Sequence, residues 1–280
     1  MTDAVLVPSS VPRGPSWRAG VILLMALGAA ALLLPPFLPD PRAQPDLVAG
    51  VLLPPGWDHP LGTDHLSRDV FARLVYGGRV SLTVALGAAL LAVTVGTGVG
   101  LVAGYAGGRT DAVLMRVVDA ALAVPRLILL LLIVALLERI PLWGLILAIG
   151  ATGWLGTSRL VRAETMRLQS MEFVRAARAL GAGHLRILFR HLAPNVVGPL
   201  VVATTLATGD VMLLEAGLSF LGLGVQAPTP SWGSMIFDAK PYLVTAPWVA
   251  VAPGAAILLG VFAVNLVGES LSRRFGDHHR

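Results

Sequence analysis

The chain has 280 residues, 55% of them in AVILMFWYC and only 13% charged, where a soluble domain carries roughly a quarter charged. That balance excludes an ordinary soluble domain and leaves room for six membrane spans of about 20 residues each. The net charge is +5, all but one of the 21 cations are arginine, and the absence of cysteine excludes disulfides, thiolate metal sites and cysteine nucleophiles. The arginines sit between apolar runs, so they read as topology markers rather than as a nucleic-acid surface.

A first apolar run, residues 19–38, follows Arg13 and Arg18 and closes on Pro35, Pro36 and Pro39. Its length, with no small-x-small site behind it, predicts a retained helix rather than a cleaved leader. Residues 1–18 form a tail before it, and 39–79 a loop outside the membrane. In that loop Leu66, Val70 and Leu74 share one face, which predicts a short interfacial helix. Asp58, His59, Asp64 and His65 make a wet surface there rather than a metal site.

Five further runs cover 80–104, 117–137, 142–157, 196–225 and 243–268, giving a five-helix core over 80–268. The run 196–225 would measure roughly 45 Å as one helix, so it tilts, kinks at Pro199 or unwinds near Gly222 and Gly224. Residues 269–280, with His278 and His279, form a second tail. An even number of spans puts both termini on one side. With the N-terminus inside, fourteen arginines fall in inner segments against six cations in outer ones, so both termini are read as cytoplasmic. The fold class is therefore an all-α membrane protein with six transmembrane helices.

Chemistry is sparse. A P-loop needs Gly-Lys-Ser/Thr, and the one lysine, Lys240, lies between Ala239 and Pro241, so any ATP hydrolysis belongs to a partner. Neither His-Glu-x-x-His nor Gly-x-Ser-x-Gly occurs, which disfavours a membrane hydrolase. His184 and His191 are not read as metal ligands, and His191 is expected to hydrogen-bond at the corner where loop meets span.

Ionisable groups inside spans each cost about 2.5–3.5 kcal/mol at a helix centre and need a reason. Asp210 and Glu215 in the fifth span and Asn265 in the sixth are candidates to line a water-filled pathway, with Asp210 or Glu215 meeting a cationic part of a cargo. Arg126 and Asp119 read instead as internally paired, toward the cytoplasmic end. Trp232 and Trp248 read as anchors at the outer interface. A gradient-driven carrier working through Asp210 and Glu215 stays open on these residues alone.

The inner loop 158–195 is far longer than a connection requires. Phe173, Ala176, Ala177 and Leu180 fall at helical spacing, with Arg175 and Arg178 opposite, which predicts an amphipathic helix. Gly181 and Gly183 can end it through positive φ, and Leu185, Leu188 and Phe189 begin a second amphipathic stretch. Such a loop either rests on lipid headgroups or docks a helix in a partner's groove.

The run Glu172-Phe173-Val174-Arg175-Ala176-Ala177-Arg178-Ala179-Leu180-Gly181-Ala182, followed by Arg190-His191-Leu192-Ala193-Pro194-Asn195, resembles the EAA loop of permeases in binding-protein-dependent ABC importers. Arg175, His191 and Ala193 depart from the general consensus, whereas His-x-x-Pro-Asn is the form of the peptide and nickel group. Residues 60–70, Pro-Leu-Gly-Thr-Asp-His-Leu-Ser-Arg-Asp-Val, are similar to that group's Gly-Thr-Asp-x-x-Gly-Arg-Asp signature, with Ser67 in place of a usual glycine. Residues 213–224 and 228–233 look like its fifth-span exit and outer loop.

The resemblance implies a type I ABC importer permease in the cytoplasmic (inner) membrane of a bacterium or archaeon, non-catalytic itself. Its partners would be a second, homologous permease, two ATP-binding subunits that hold ATP and Mg, an extracytoplasmic substrate-binding protein and membrane lipid, with no nucleic acid. The coupling set carried over is Glu172, Arg175, Ala176, Ala177, Gly181, His191, Pro194 and Asn195. The cargo implied is a dipeptide or oligopeptide, with a nickel chelate or a glutathione-like peptide as alternatives.

Overall fold

The computed structural model describes residues 17–137 and 140–276. The tail residues 1–16 and 277–280, with His278 and His279, and the loop residue Arg139 lie outside the described residues. Among the described residues every regular element is helical, apart from a single bridge between Thr63 and Asp69.

Helix α1 (Trp17–Leu33) ends where Pro35 and Pro36 begin a 3-10 turn, shorter than the expected 19–38. Its 17 residues span about 25 Å. Helix α2 (Val70–Ala106) is one unbroken rod of 37 residues. This corrects the separate interfacial helix: Val70 to Arg79 are the first turns of the span itself. The start is fixed by Asp69, whose side chain accepts from Ala72 N at 2.7 Å. Gly77 and Gly78 do not break the rod, because Ser231 and Trp232 press directly on them.

Helices α3 (Gly108–Leu122) and α4 (Arg126–Leu136) replace the straight span 117–137 and meet at 78°. The cause is Pro125, which lacks an N–H and pushes Val124 out of the helical region. Helix α5 (Leu142–Gln169) runs twelve residues past the expected end at Thr157, so the first third of the supposed loop is helix. The short α6 (Glu172–Ala179) follows.

Helix α7 (His184–Phe220) absorbs the second amphipathic stretch into the fifth span. Ile187–Leu192 is wound as π-helix just before Pro194, which spares the carbonyl one turn back from the proline ring. Gly222, at φ +81°, ends the rod. Helix α8 (Trp232–Ala239) opens on a capping box in which Ser231 and Ser234 bond each other's backbone. Helix α9 (Trp248–Gly276) extends into the expected C-terminal tail.

α2 is the central rod, packed most extensively on α5 and also against α7, α1 and α9, while α9 packs in turn on α7 and α1. Its approach to α5 is set by Gly96, Gly100 and Gly104, where a Cβ would stand 2.6–2.8 Å from Thr157, the Ser158 carbonyl and the Arg162 carbonyl. Small residues every fourth position allow that closeness in lipid, where helices gain mainly from packing. By length and composition α2, α5, α7 and α9 can cross a membrane, and α3 with α4 make a fifth crossing if the bent pair is one span.

Candidate functional site

Three regions hold polar groups where the fold does not need them merely for solubility. The first is the end of the bundle that carries α6. Val174 inserts into a cluster with Leu168, Ile187, Leu192 and Val196, which pins α6 between α5 and α7. The predicted apolar face is not the buried one. Phe173 is 43% and Leu180 88% exposed, and Leu185 and Phe189 are exposed beside them, so Ile187 and Leu192 replace Leu185 and Phe189 in the core.

Gly181 takes φ +80° and closes α6, with Ala182 N donating to Ala177 O at 3.0 Å. Gly183 instead sits at φ −68°, so only one of the two expected glycines uses positive φ. The two halves of the EAA-like segment meet: the rings of Phe173 and His191 are 6.4 Å apart. At that corner Asn195 Nδ2 donates to the His191 carbonyl at 2.6 Å, so the backbone of His191, rather than the expected ring, makes the bond. Glu172, Arg175 and Ala176 stay exposed, Ala177 is half-buried, and Pro194 and Asn195 occupy the turn after the π segment. Arg178 reaches Gln169 at 3.0 Å, and Gln169 in turn donates to Gly104 O at 2.5 Å, tying this end to the foot of α2.

The second region lies midway along the rods. A cleft of about 410 Å³ opens between α2, α4, α5 and α7, with Arg126 and Asp210 on its walls among small residues. Arg126 follows directly on Pro125, and it lies level with Ala92 and Thr152 near the middle of α2 and α5. Its expected place toward the cytoplasmic end is thus corrected. It donates to Ile149 O at 2.8 Å and Thr152 Oγ1 at 3.3 Å, and Gly153 makes room for it, since a Cβ there would stand 2.8 Å from Arg126 Nη2. Asp119 does pair internally, accepting from Arg159 at 2.5 Å, and Asp111 accepts from Arg162 at 2.5 and 2.6 Å. Asn265 lies near Gly209, beside Asp210 in sequence.

Glu215 stands apart from this cleft. It is 1% exposed and accepts from Ser81 Oγ at 3.1 Å and Ser219 Oγ at 2.8 Å, while Ser81 Oγ accepts from Trp232 N. Its expected position on an open pathway is therefore corrected to a core position that ties α2, α7 and α8 together. Trp232 is equally buried, its indole donating to Leu74 O at 2.9 Å, and Trp248 lies over Gly62, so neither is a free interfacial anchor.

The third region is the opposite end, where the loop 34–69 folds over the start of α2. Gly62 takes φ +73° beneath Leu53 and Trp248. Thr63 Oγ1 accepts from Leu53 N and donates to Gly50 O. Asp64 is wholly buried, accepting from Leu66 N at 2.8 Å, Arg68 N at 3.0 Å, Arg68 Nε at 2.7 Å and Arg73 Nη1. Both arginines also donate to Asp238 on α8, at 3.2 and 2.9 Å.

Burial pushes the Asp64 carboxyl up, but Arg73, Arg68 and the backbone amides of Arg68 and Leu66 outweigh it and hold the group below its ordinary range. The wet-surface reading of Asp64 is thereby overturned. Asp58, His59 and His65 do not gather with it into a metal cluster, and His59 instead pairs with Asp69 at 2.7 Å. The Gly-Thr-Asp-x-x-x-Arg-Asp run is thus a structural clamp in which each named residue has its own task.

The family model for the inner membrane component of binding-protein-dependent transport systems matches residues 96–277, which takes in the last third of the central rod, the α6 end and the cleft lining apart from Ala92. The chain belongs to that family. Similar curated proteins cover nearly its whole length. The nickel transport system permease protein of Escherichia coli (strain K12) is 43% identical over 94% of this chain and 94% of its own. The oligopeptide transport system permease protein of Bacillus subtilis (strain 168) is 37% identical over 90% of this chain and 82% of its own. The dipeptide transport system permease protein of the same organism is 37% identical over 96% and 87%. This protein is a multi-pass inner-membrane permease of an ABC importer of the peptide and nickel group.

Proposed function

We propose that the permease carries peptides, as one of two homologous permeases served by two ATPase subunits and an external binding protein. It crosses the membrane six times with both termini in the cytoplasm, α1 being the first crossing and the bent α3/α4 pair the third. The reading rests chiefly on the surface at the α6 end. There Phe173, Leu180, Leu185 and Phe189 are exposed among Arg175, Arg178, Arg186 and Arg190, although Val174 shows that α6 is firmly anchored. An apolar face left uncovered on a fixed, arginine-rimmed helix is suited to a partner's groove.

The lever behind this surface is continuous helix. From Thr152 on the cleft wall, α5 runs unbroken to Gln169, about 25 Å away. On the other side α7 runs from His184, beside the docking surface, to Asp210 on the cleft. When ATP draws the two ATPase subunits together, movement of α6 reaches the cleft through both rods, and Asp210, with Asn265 nearby, lines the route of the cargo.

The test is reconstitution of the complex purified from its native membrane, assayed for ATP hydrolysis and peptide uptake. Gly181→Leu sets its Cβ in open space but must hold φ +80°, so it is expected to distort this surface turn without a clash in the bundle, leaving the complex assembled and abolishing peptide uptake while ATP hydrolysis continues. Normal uptake by that variant refutes coupling through this turn. A nickel chelate is the second reading, favoured by the 43% identity to the nickel permease. It predicts chelate uptake and no peptide uptake by the same vesicles.

A further inference from the structure

The cleft holds two opposite charges that do not touch. Arg126 and Asp210 both line it, yet no ion pair joins them among the described residues. Opposite charges in a poorly solvated site attract strongly and close on one another unless they are held apart. Arg126 is held. Its Nε and one terminal nitrogen are bonded to Thr152 and Ile149 on α5, and Gly153 gives it a seat that any side chain would fill. Asp210 lines the same cleft from a different helix, one residue beyond Gly209 on the rigid α7.

The rest of the wall is small or apolar, with Ala92, Gly156, Ala203 and Ala207 leaving the space between the charges open. A volume of about 410 Å³ falls in the range of small-molecule sites, roughly 300–1,000 Å³. Charged side chains at mid-membrane depth are costly, and those retained there face cavities and pathways. We infer that Arg126 and Asp210 form a two-point station for a zwitterion, the guanidinium taking a carboxylate and the Asp210 carboxylate taking an ammonium group. A free peptide of any sequence carries both groups, so the pair reads the two termini and is indifferent to the side chains between them. This rests on the peptide-importer reading and adds to it a selection made by the permease itself, after the binding protein has released its cargo.

The experiment uses the complete complex in proteoliposomes, with trialanine, N-acetyl-trialanine and trialanine amide as probes and the binding protein's affinity for each measured separately. Asp210→Asn is expected to lower uptake of trialanine about tenfold and to leave uptake of the N-acetyl form within about twofold of wild type. Arg126→Gln is expected to do the same with the amide as the spared probe. A merely structural role would slow all three probes by one factor, and that outcome, or unchanged uptake of all three by assembled and ATPase-active variants, overturns the station. Absence of trialanine uptake by the wild-type complex instead refutes the peptide reading on which it rests. Exchange of the two charges, Arg126→Asp with Asp210→Arg, keeps one group of each sign in the cleft. Recovery of trialanine uptake above either single variant supports the station, and no recovery in an assembled complex counts against it.

Discussion

Replacing Asp64 by asparagine keeps the shape of the clamp and removes its charge. In Asp64→Asn the amide oxygen can still accept from Leu66 N and Arg68 N, but an NH₂ then faces the Arg68 and Arg73 guanidiniums that Asp64 Oδ2 accepted from. Those arginines are 8% and 4% exposed and keep only Asp238, itself 27% exposed, as acceptor. Breaking a buried pair from one side costs about 3–5 kcal/mol, and the surviving Asp238 contacts place this case near the lower end. For a chain of this size roughly 3 kcal/mol corresponds to a fall in Tm of about 6–12 °C.

Thermal unfolding of the purified complex measures it, with Asp64→Asn/Arg73→Gln expected to recover about half the loss by removing the excess cation. The acid side gives a second reading. Asp64 is held below its ordinary value of 3.8 in the folded protein, so its stabilisation is complete above that pH and is lost as pH falls through the lower folded value. The wild type should therefore lose stability in acid more steeply than Asp64→Asn. A Tm for Asp64→Asn within about 2 °C of wild type would refute the clamp.

Ser67 sits at φ +59°, which costs a non-glycine residue about 1–2 kcal/mol. Its Oγ gives back only a 3.4 Å contact with Asp46 N, so Ser67→Gly should raise the Tm by a few degrees in the same assay. Gly100→Ala sets a Cβ 2.6 Å from the Ser158 carbonyl, which is backbone and cannot turn aside. It should part α2 from α5 and cost about 1–3 kcal/mol, seen as a lower Tm or a reduced yield of assembled complex. Glu215→Ala strips the acceptor from Ser81 and Ser219 and leaves a void. A cost of about 2–4 kcal/mol is expected, with Glu215→Gln, which can still bond both serines, close to wild type.

How much of this can be read from the residues depends on the range of the force involved. Composition and apolar runs locate most of the membrane segments, because burial in lipid is a property of about 20 consecutive residues. The EAA-like segment is legible in its residues, and its helix and its closing turn at Gly181 follow the expected order, while the meeting of Phe173 with His191 emerges only from the fold. The facing of α6 is not legible. Phe173 and Leu180 form the better apolar stripe by spacing, yet Val174 is buried because Leu168, Ile187 and Leu192 converge on it from two other helices. The ends of rods escape the sequence for a related reason: Arg159 and Arg162 suggest a loop, but Asp119 and Asp111 on α3 neutralise them and let α5 continue.

The polar residues divide along the same line. Arg68 and Asp238 stand 170 positions apart in the chain, and nothing local shows that they share one buried network with Asp64 and Arg73. The signal that could have found them is the loop signature itself: an acid and two arginines at i+4 and i+9, straddling the start of an apolar rod, are costly there unless they neutralise one another. Ser67 makes the same point, since a glycine is usual where the structure has a left-handed residue.

Glu215 and Asp210 show the limit most plainly. Close together on one helix, they are equivalent as ionisable groups in an apolar run, and only packing separates them. Glu215 turns toward the serines of α2 and α7 and becomes part of the frame, while Asp210 turns to a cleft that Arg126 also lines. Of two carboxylates with the same insertion cost, the one that finds hydroxyl partners inside the fold has its cost met by the fold. The one that does not stays on the wall of the cleft, and under the proposed two-point station it is Asp210 and not Glu215 whose neutralisation should alter the choice of cargo.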